Sequence, residues 1–159
     1  MDFNIVDIEE FSGEMAKIYS IILEDDEETL LDKFFEENRG YEKELRNIAA
    51  KLDTMGHYTG CRIHFFKDKE GAPGDGMAVL KSGRLRLYCL RFDNTCIFVG
   101  SGGYKPPGVA AYQDDFLLNS KAQQMRKIAA SINKAIKEKD LIINDDGTIK
   151  TTDFLDLKI

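Results

Sequence analysis

Residues 84–99 read RLRLYCLRFDNTCIFV, and this stretch decides the fold that the chain can adopt. Residues 84–92 alternate apolar with basic or aromatic side chains, which is the period of a β-strand. Asp93 and Asn94 form a two-residue turn signal, and residues 95–99 return as a mostly apolar segment. The pattern predicts an antiparallel hairpin across this turn.

Pairing of Phe92 with Thr95 predicts which side chains share a face of the hairpin, because side chains alternate along a strand. One face then carries the basic residues at its far end: Arg84, Arg86, Tyr88, Leu90, Phe92, Ile97 and Val99. The other face is largely apolar, and we expect it to pack on helices: Leu85, Leu87, Cys89, Arg91, Cys96 and Phe98.

Before this hairpin, the sequence predicts two strands and two helices. Residues 3–8 and 17–23 favour β structure and can pair as an N-terminal hairpin. A capping box at Asp25 and Glu28 predicts the first helix, with Gly40 as its left-handed cap. Residues 41–54 follow with an apolar stripe, so the two helices form a helical hairpin.

Shorter strands, loops and a long helix complete the pattern. Residues 61–66 and 77–80 are predicted strands around a glycine-rich loop at 67–76. The glycine run at 100–103 and the prolines at 106–107 are expected to break regular structure. A helix is predicted over 120–139. A hairpin follows, with strands at 141–144 and 148–150.

Together these elements predict one α+β domain over residues 1–159. It has N-terminal strands, a helical hairpin, an antiparallel sheet of about four strands and a long C-terminal helix. We expect the core at about 17–108 and a helical extension at about 109–159. A chain of 159 residues is long enough to bury one sizeable core.

Composition places the chain among ordinary globular proteins, with 43% hydrophobic and 31% charged residues. It has no apolar run of the length a membrane span needs and no secretory signal, so we expect a cytoplasmic protein. The net charge of −6 is unevenly spread. Residues 1–60 hold 16 acids and 6 bases, whereas residues 61–108 hold 4 acids and 8 bases.

The cysteine and histidine spacing predicts neither a metal site nor a cofactor. Cys61, Cys89 and Cys96 form no C-x-x-C pair, and the odd count leaves at least one thiol free, which suits a reducing compartment. Cys89 and Cys96 are predicted to be small apolar core residues. His57 and His64 lie seven residues apart across Gly60, which is not a metal-ligand spacing.

The basic middle of the chain contains a candidate anion site. Arginine offers a bidentate fork for phosphate, and tyrosine can stack on a base or transfer a proton. The side chains expected near one another are Lys81, Arg84, Arg86, Tyr88, Tyr104 and Lys105. The alternative interpretation is a solvated strand face whose charges only discourage edge pairing.

Residues 80–100, LKSGRLRLYCLRFDNTCIFVG, and residues 103–107, GYKPP, resemble the RelE/HigB-like toxin superfamily. The order of an early strand, a helical hairpin and an antiparallel sheet over about 17–108 is similar to that family as well. The resemblance implies a small α+β ribonuclease that cleaves messenger RNA, usually at the ribosome, without metal or cofactor. It also implies a small antitoxin protein that holds the enzyme inactive.

Carried onto this chain, the resemblance implies roles for five residues. Arg86 stabilises phosphate charge, and Tyr88 or Tyr104 contacts a base or transfers a proton. Arg84 and Lys105 contact phosphate. Lys81 is a further phosphate-binding candidate, because it is expected to lie beside Arg84 and Arg86. The chain departs from the family in its acidic balance and in its extra C-terminal length. The alternative function is a non-catalytic domain whose acidic helices at 26–54, or whose long helix, bind a protein partner.

Overall fold

Strands and helices occur in separate runs along the described part of the chain, which is residues 1–67, 76–108 and 115–159 of a computed structural model. The strands are β1 (Phe3–Asp7), β2 (Lys17–Leu23), β3 (Phe66–Lys67), β4 (Met77–Ser82), β5 (Leu85–Phe92), β6 (Cys96–Tyr104), β7 (Leu141–Ile143) and β8 (Ile149–Thr151). The α-helices are α1 (Leu30–Glu37), α2 (Glu42–Thr54) and α3 (Phe116–Lys137). This inventory confirms the predicted α+β class.

One mixed sheet organises these elements, with the strand order β1-β2-β6-β5-β4-β3. Its neighbours are antiparallel except for β2 and β6, which run parallel. The parallel pair is possible because the helical hairpin α1–α2 lies between β2 and the later strands in the sequence. The predicted N-terminal hairpin is β1–β2, and the predicted C-terminal hairpin is the separate sheet β7–β8.

Helices cover both faces of the large sheet. One hydrophobic cluster joins the sheet to the helical hairpin through Leu31, Phe34, Leu45, Ile48, Leu52, Leu85, Leu87 and Cys89. A second cluster joins the opposite face to α3 through Tyr88, Leu90, Phe98, Leu118, Ala122, Met125, Ala129 and Ile132. The predicted packing of Leu85, Leu87 and Cys89 against helices is confirmed. The face that carries Arg86 and Tyr88 is also covered, because α3 packs on it.

The predicted register of the central hairpin is wrong by one residue. Phe92 pairs with Cys96, so the turn has three residues, and Asp93 has a left-handed φ of 54°. A shift of one residue moves every side chain of the strand to the other face. Ile97 and Val99 therefore join the helical-hairpin face, whereas Cys96 and Phe98 lie under α3.

The glycine run at 100–103 does not interrupt the strand, contrary to prediction. It lies within β6, which ends at Tyr104 just before Pro106. A Cβ at Gly102 would lie 1.8 Å from the carbonyl oxygen of Arg86, so only glycine allows the two strands to approach this closely. The register also shifts between Leu87 and Cys89, where two residues of β6 face one of β5.

Three local predictions are wrong at the helices and at 61–66. Helix α1 begins after Thr29, whose side chain accepts a hydrogen bond from the backbone N–H of Asp32, whereas Asp25 takes a left-handed turn conformation. The helix ends at Glu37, and Gly40 does not have the left-handed φ expected of a cap. Residues 61–66 form a 3-10 turn at Ile63–Phe65 and only the first residue of β3.

The remaining predictions concern the long helix and the loop at 67–76. Helix α3 starts four residues earlier than predicted and ends at Lys137. The loop prediction falls almost wholly on residues outside the described ones. Within the described ranges, no helix combines the length and the apolar character that crossing a bilayer requires.

Candidate functional site

The predicted site residues gather at the end of the sheet where β4 turns into β5. Lys81 is the cross-strand partner of Arg86, and the next strand places Gly103 opposite Arg86 on its other side. The backbone N–H of Lys105 donates a hydrogen bond of 2.7 Å to the carbonyl oxygen of Arg84. The sequence therefore placed these residues in the correct neighbourhood. We call this region the cationic end of the sheet.

Lys81 and Arg84 are the two predicted cations whose side chains are exposed. They flank the turn at Ser82 and Gly83, so both reach solvent at the same edge of the molecule. Lys51 from α2 adds a third cation, because its Nζ donates a hydrogen bond of 2.8 Å to the carbonyl oxygen of Lys81. Desolvation beside the sheet lowers the pKa of Lys51.

Arg86 is buried, and its guanidinium forms hydrogen bonds within the protein. Its Nη1 donates hydrogen bonds of 2.8 Å to the carbonyl oxygen of Gly83 and 3.0 Å to that of Leu85. These bonds tie the side chain to the backbone of the β4–β5 turn. Arg86 thus shapes the turn that presents Lys81 and Arg84.

Tyr88 and Lys105 are also buried, for different reasons. Tyr88 is fully enclosed in the cluster between the sheet and α3, in which Leu118 and Met125 also lie. Lys105 follows the last residue of β6 and has only 6% of its surface exposed. As the chain is folded here, a polymeric substrate cannot reach the ring of Tyr88.

Tyr104 lies on the opposite face of the sheet from Arg86 and Tyr88. It is paired with Leu85, whose side chain belongs to the helical-hairpin face. Its ring is half-buried and stacks on Tyr41 from the start of α2, with centroids 4.9 Å apart and planes 11° apart. The structure therefore splits the three predicted catalytic residues between the two faces.

A cleft of about 470 Å³ opens beside Tyr104 and brings together residues that the sequence analysis did not assign to a site. Lys121 of α3 forms an ion pair with Glu37 of α1 across it, with an N–O distance of 3.3 Å. Asp115 caps α3 by accepting a hydrogen bond of 2.9 Å from the N–H of Leu118. The other lining residues are Asn38, Tyr41, Gly102, Gly103, Pro106 and Leu117.

These additional residues could not be found from local patterns. Tyr41 and Tyr104 are 63 positions apart, and Glu37 and Lys121 are 84 apart. Tyr41 was assigned only to the apolar stripe of its helix. The one sequence signal for this cleft was the glycine run at 100–103. Glycine inside a strand often marks a place where another backbone segment or a ligand approaches closely.

The accessible part of the site can bind anions and aromatic groups. Two exposed cations flank the β4–β5 turn, and the Tyr41–Tyr104 pair lies at the same end of the sheet on its helical-hairpin face. Phosphate and base recognition use such groups. In the described part of the chain, no three His, Cys, Asp or Glu side chains are grouped so that they could hold a metal ion. The three cysteines are free and buried, which confirms the core positions predicted for Cys89 and Cys96, and burial raises the pKa values of all three thiols.

Comparisons of the chain with protein-family models, with curated proteins and with solved structures found no match.

Proposed function

We propose that this chain is a RelE/HigB-like toxin homologue that acts on messenger RNA, with Lys81 and Arg84 contacting the phosphates. The observation that carries this proposal is that these two exposed cations flank the β4–β5 turn, at the same end of the sheet as Tyr104, which pairs with Leu85. Because phosphate contacts dominate affinity for nucleic acid, a local pair of cations can act even on a protein of net charge −6.

The order of elements also supports the proposal. The resemblance implied an early strand, then a helical hairpin, then antiparallel strands, and the chain has β2, α1–α2 and β4–β6 in that order. A cytoplasmic location, a small antitoxin partner and action on messenger RNA at the ribosome belong to the same proposal.

Burial changes the roles within the proposed site. Arg86 is a positioning residue, because its two backbone hydrogen bonds hold the turn between Lys81 and Arg84. Tyr88 supports the sheet from beneath α3 and does not touch substrate. Tyr104 is the remaining tyrosine that can contact a base, next to the stacked ring of Tyr41.

Induced expression in a bacterial host tests the proposal. We expect the parent chain to arrest growth and the double variant Lys81→Ala/Arg84→Ala to restore it at equal soluble level, because neither side chain is part of the core. The control is Lys134→Ala/Lys137→Ala, which removes two cations from the C-terminal part of α3 and should arrest growth like the parent. Arg86→Ala is a poor test, because it would disturb the turn itself.

A second candidate function is a non-catalytic domain that binds a protein partner. The burial of Arg86 and Tyr88 beneath α3 favours it, because two residues of the predicted catalytic set are then structural. Normal growth of cells that make abundant soluble protein would support this second function and contradict the first.

A further inference from the structure

The cleft beside Tyr104 takes no part in the proposed phosphate contacts, and it is called the tyrosine cleft below. It lies where the end of α1, the end of β6 and the start of α3 meet, and its volume is about 470 Å³. Its aromatic and charged lining residues are Glu37, Tyr41, Tyr104, Asp115 and Lys121. A cavity of this size with a few polar groups is typical of a small-molecule site.

The walls of the tyrosine cleft suit a flat ring. Tyr41 and Tyr104 stack with their centroids 4.9 Å apart, and Tyr41 has 38% of its surface exposed, so the stack is open to solvent. The β6 wall of the cleft carries no side chains at Gly102 and Gly103. A Cβ at Gly103 would lie 3.6 Å from Cδ2 of Leu118, so a longer side chain there would project towards α3. Nucleobases bind to proteins by stacking on exposed aromatic rings of this kind.

The polar groups of the cleft offer two adjacent acceptors and one donor. Both carboxylate oxygens of Glu37 lie 3.3 Å from Nζ of Lys121, across the cleft. These distances exceed the roughly 2.7–2.9 Å of a strong charge-assisted hydrogen bond. The two side chains are 48% and 30% exposed. An exposed ion pair contributes little free energy, so a ligand can replace it at small cost.

The charge of the cleft favours a neutral ligand over an anion. Among the described lining residues, Glu37 and Asp115 are carboxylates, and Lys121 is the only cation. The N-terminus of α3 is already capped, because Asp115 accepts a hydrogen bond from the N–H of Leu118. A phosphate group in the cleft would therefore meet net negative charge, whereas a base carries no charge.

We infer that the tyrosine cleft binds a guanine base, an inference that rests on the proposed function for the RNA strand that carries this base. The Watson–Crick edge of guanine presents N1–H and N2–H as two adjacent donors, with O6 beside them as an acceptor. The two donors would bind the two carboxylate oxygens of Glu37, and Lys121 would donate to O6. The ring would stack against the Tyr41–Tyr104 pair.

The other bases match these polar groups less well. Adenine and cytosine have an acceptor nitrogen next to their amino group, and uracil has a carbonyl oxygen on each side of its N–H. In each case one carboxylate oxygen of Glu37 would face another acceptor and would lose its water without gaining a hydrogen bond. Guanine is therefore the base that the cleft selects.

The tyrosine cleft and the exposed cations are close enough to contact one RNA strand. Gly103 pairs with Arg86, which pairs in turn with Lys81, so two strand spacings of about 10 Å in total separate Gly103 from Lys81. Neighbouring phosphates would lie on Lys81 and Arg84 while the base occupies the cleft. Phosphate contacts then position the strand, and the base contact supplies specificity.

Three labelled uridine hexamers that differ at one central position test the inference by fluorescence anisotropy at a fixed low salt concentration. The central position holds guanosine, adenosine or inosine. We expect the guanosine RNA to bind about tenfold more tightly than the adenosine RNA, because only guanine offers both donors to Glu37. Inosine keeps N1–H and O6 but lacks the 2-amino group, so its RNA should bind with intermediate affinity.

A pair of matched variants tests the role of Glu37. Glu37→Gln keeps the shape of the side chain and replaces one acceptor with a donor, so the preference for guanosine over adenosine should fall below twofold. The control is Glu36→Gln, because Glu36 pairs with Arg39 and does not line the cleft. It should keep the preference of the parent. An equal loss of preference in both variants, or no loss in Glu37→Gln, would overturn the inference.

Failure of this inference is distinguishable from failure of the proposed function. Equal affinity for the guanosine and adenosine RNAs, with a salt dependence that Lys81→Ala/Arg84→Ala reduces, would overturn the inference alone. Absence of binding to all three RNAs would contradict the proposed function. Titration with free guanosine, followed through the NMR signals of Tyr41 and Tyr104, then tests the cleft by itself. Saturable shifts with guanosine and none with adenosine would support the base site, and their absence would overturn it.

Discussion

The two ends of β5 present opposite charge to solvent. At the start of the strand, Lys81 and Arg84 are exposed around the β4–β5 turn. At its end, Asp93 and Asp145 line a groove of about 600 Å³ between the β5–β6 turn and β7. The net charge of −6 is a sum over the whole chain, so it does not report the local charge at either end. Charge is screened within about 8 Å at physiological salt, so each end keeps its own local electrostatic potential.

Both ends depend on a glycine that lets two backbone segments approach closely. At the cationic end this is Gly102, which pairs with Leu87 and lies against the carbonyl oxygen of Arg86. At the acidic end it is Gly147, where a Cβ would lie 1.9 Å from the carbonyl oxygen of Thr95. The difference is that Gly102 lies within the central sheet, whereas Gly147 belongs to a peripheral hairpin. Substitutions at the two positions therefore compare how much the central sheet and the peripheral hairpin each contribute to the free energy of unfolding.

The largest effect is expected from Gly102→Ala. The new methyl group would meet the Arg86 carbonyl at 1.8 Å, so β5 and β6 must separate where they hold the cationic end. We expect the free energy of unfolding in urea to fall by about 3 kcal/mol or more. Gly40→Ala is the control, because its Cβ would meet nothing within 4 Å, and it should stay within about 0.5 kcal/mol of the parent. An unchanged urea midpoint for Gly102→Ala would contradict the close approach.

A smaller loss is expected from Gly147→Ala. Its φ of 89° is unfavourable for alanine, and the methyl group would displace the hairpin from Thr95 and from the hydroxyl of Tyr19, which donates to the Gly147 carbonyl. Because β7–β8 can shift without opening the central sheet, we expect a loss of about 1–3 kcal/mol in thermal or urea unfolding. A loss of stability larger than that of Gly102→Ala would contradict the expectation that the central sheet depends more on its glycine than the peripheral hairpin does.

A loss of about 1 kcal/mol is expected from Asp115→Ala, which removes the N-cap of α3 near the cationic end. The carboxylate accepts a hydrogen bond from the N–H of Leu118, and alanine leaves that donor without its cap. Asp115→Asn should recover most of the stability, because asparagine caps a helix about as well. Equal losses in both variants would show that the cap is not the cause.

The smallest effect is confined to alkaline solution. Burial raises the pKa of Cys61 from 9.0 to about 11, and its backbone N–H bonds to Asn94 at the acidic end. The buried thiol is therefore neutral where an unfolded thiol ionises. Its contribution to stability is complete below pH 9 and is lost as the pH rises towards 11. Urea unfolding at several pH values should show this decline, and Cys61→Ala should make it shallower.

Much of the fold follows from periodicity in the sequence. Strand β2 begins and ends where the alternation predicts, and the β5 face of Leu85, Leu87 and Cys89 packs on helices as expected. The register of β6 could not be obtained in this way. Asp93 and Asn94 suit a two-residue turn, but Thr95 belongs to the turn as well, and one residue exchanges the two faces.

The candidate site was predictable only as a neighbourhood. Alternation brought Lys81, Arg84 and Arg86 together, but it did not indicate that α3 covers the face of Arg86. Whether a helix covers this face depends on contacts between residues far apart in the chain. Tyr88 of β5, for example, shares a hydrophobic cluster with Met125 of α3. Alternation therefore predicts the same phosphate-binding role for Arg84 and Arg86, although the fold exposes Arg84 and buries Arg86.

RNA binding by the cationic end is the central claim, and its salt dependence tests the claim most directly. The affinity for a labelled single-stranded RNA should fall with salt, with a log–log slope of about −0.7 for each phosphate contacted. The account predicts that Lys81→Ala/Arg84→Ala reduces this slope by about one to one and a half, whereas Lys134→Ala/Lys137→Ala leaves it unchanged. The same slope for both double variants would contradict it.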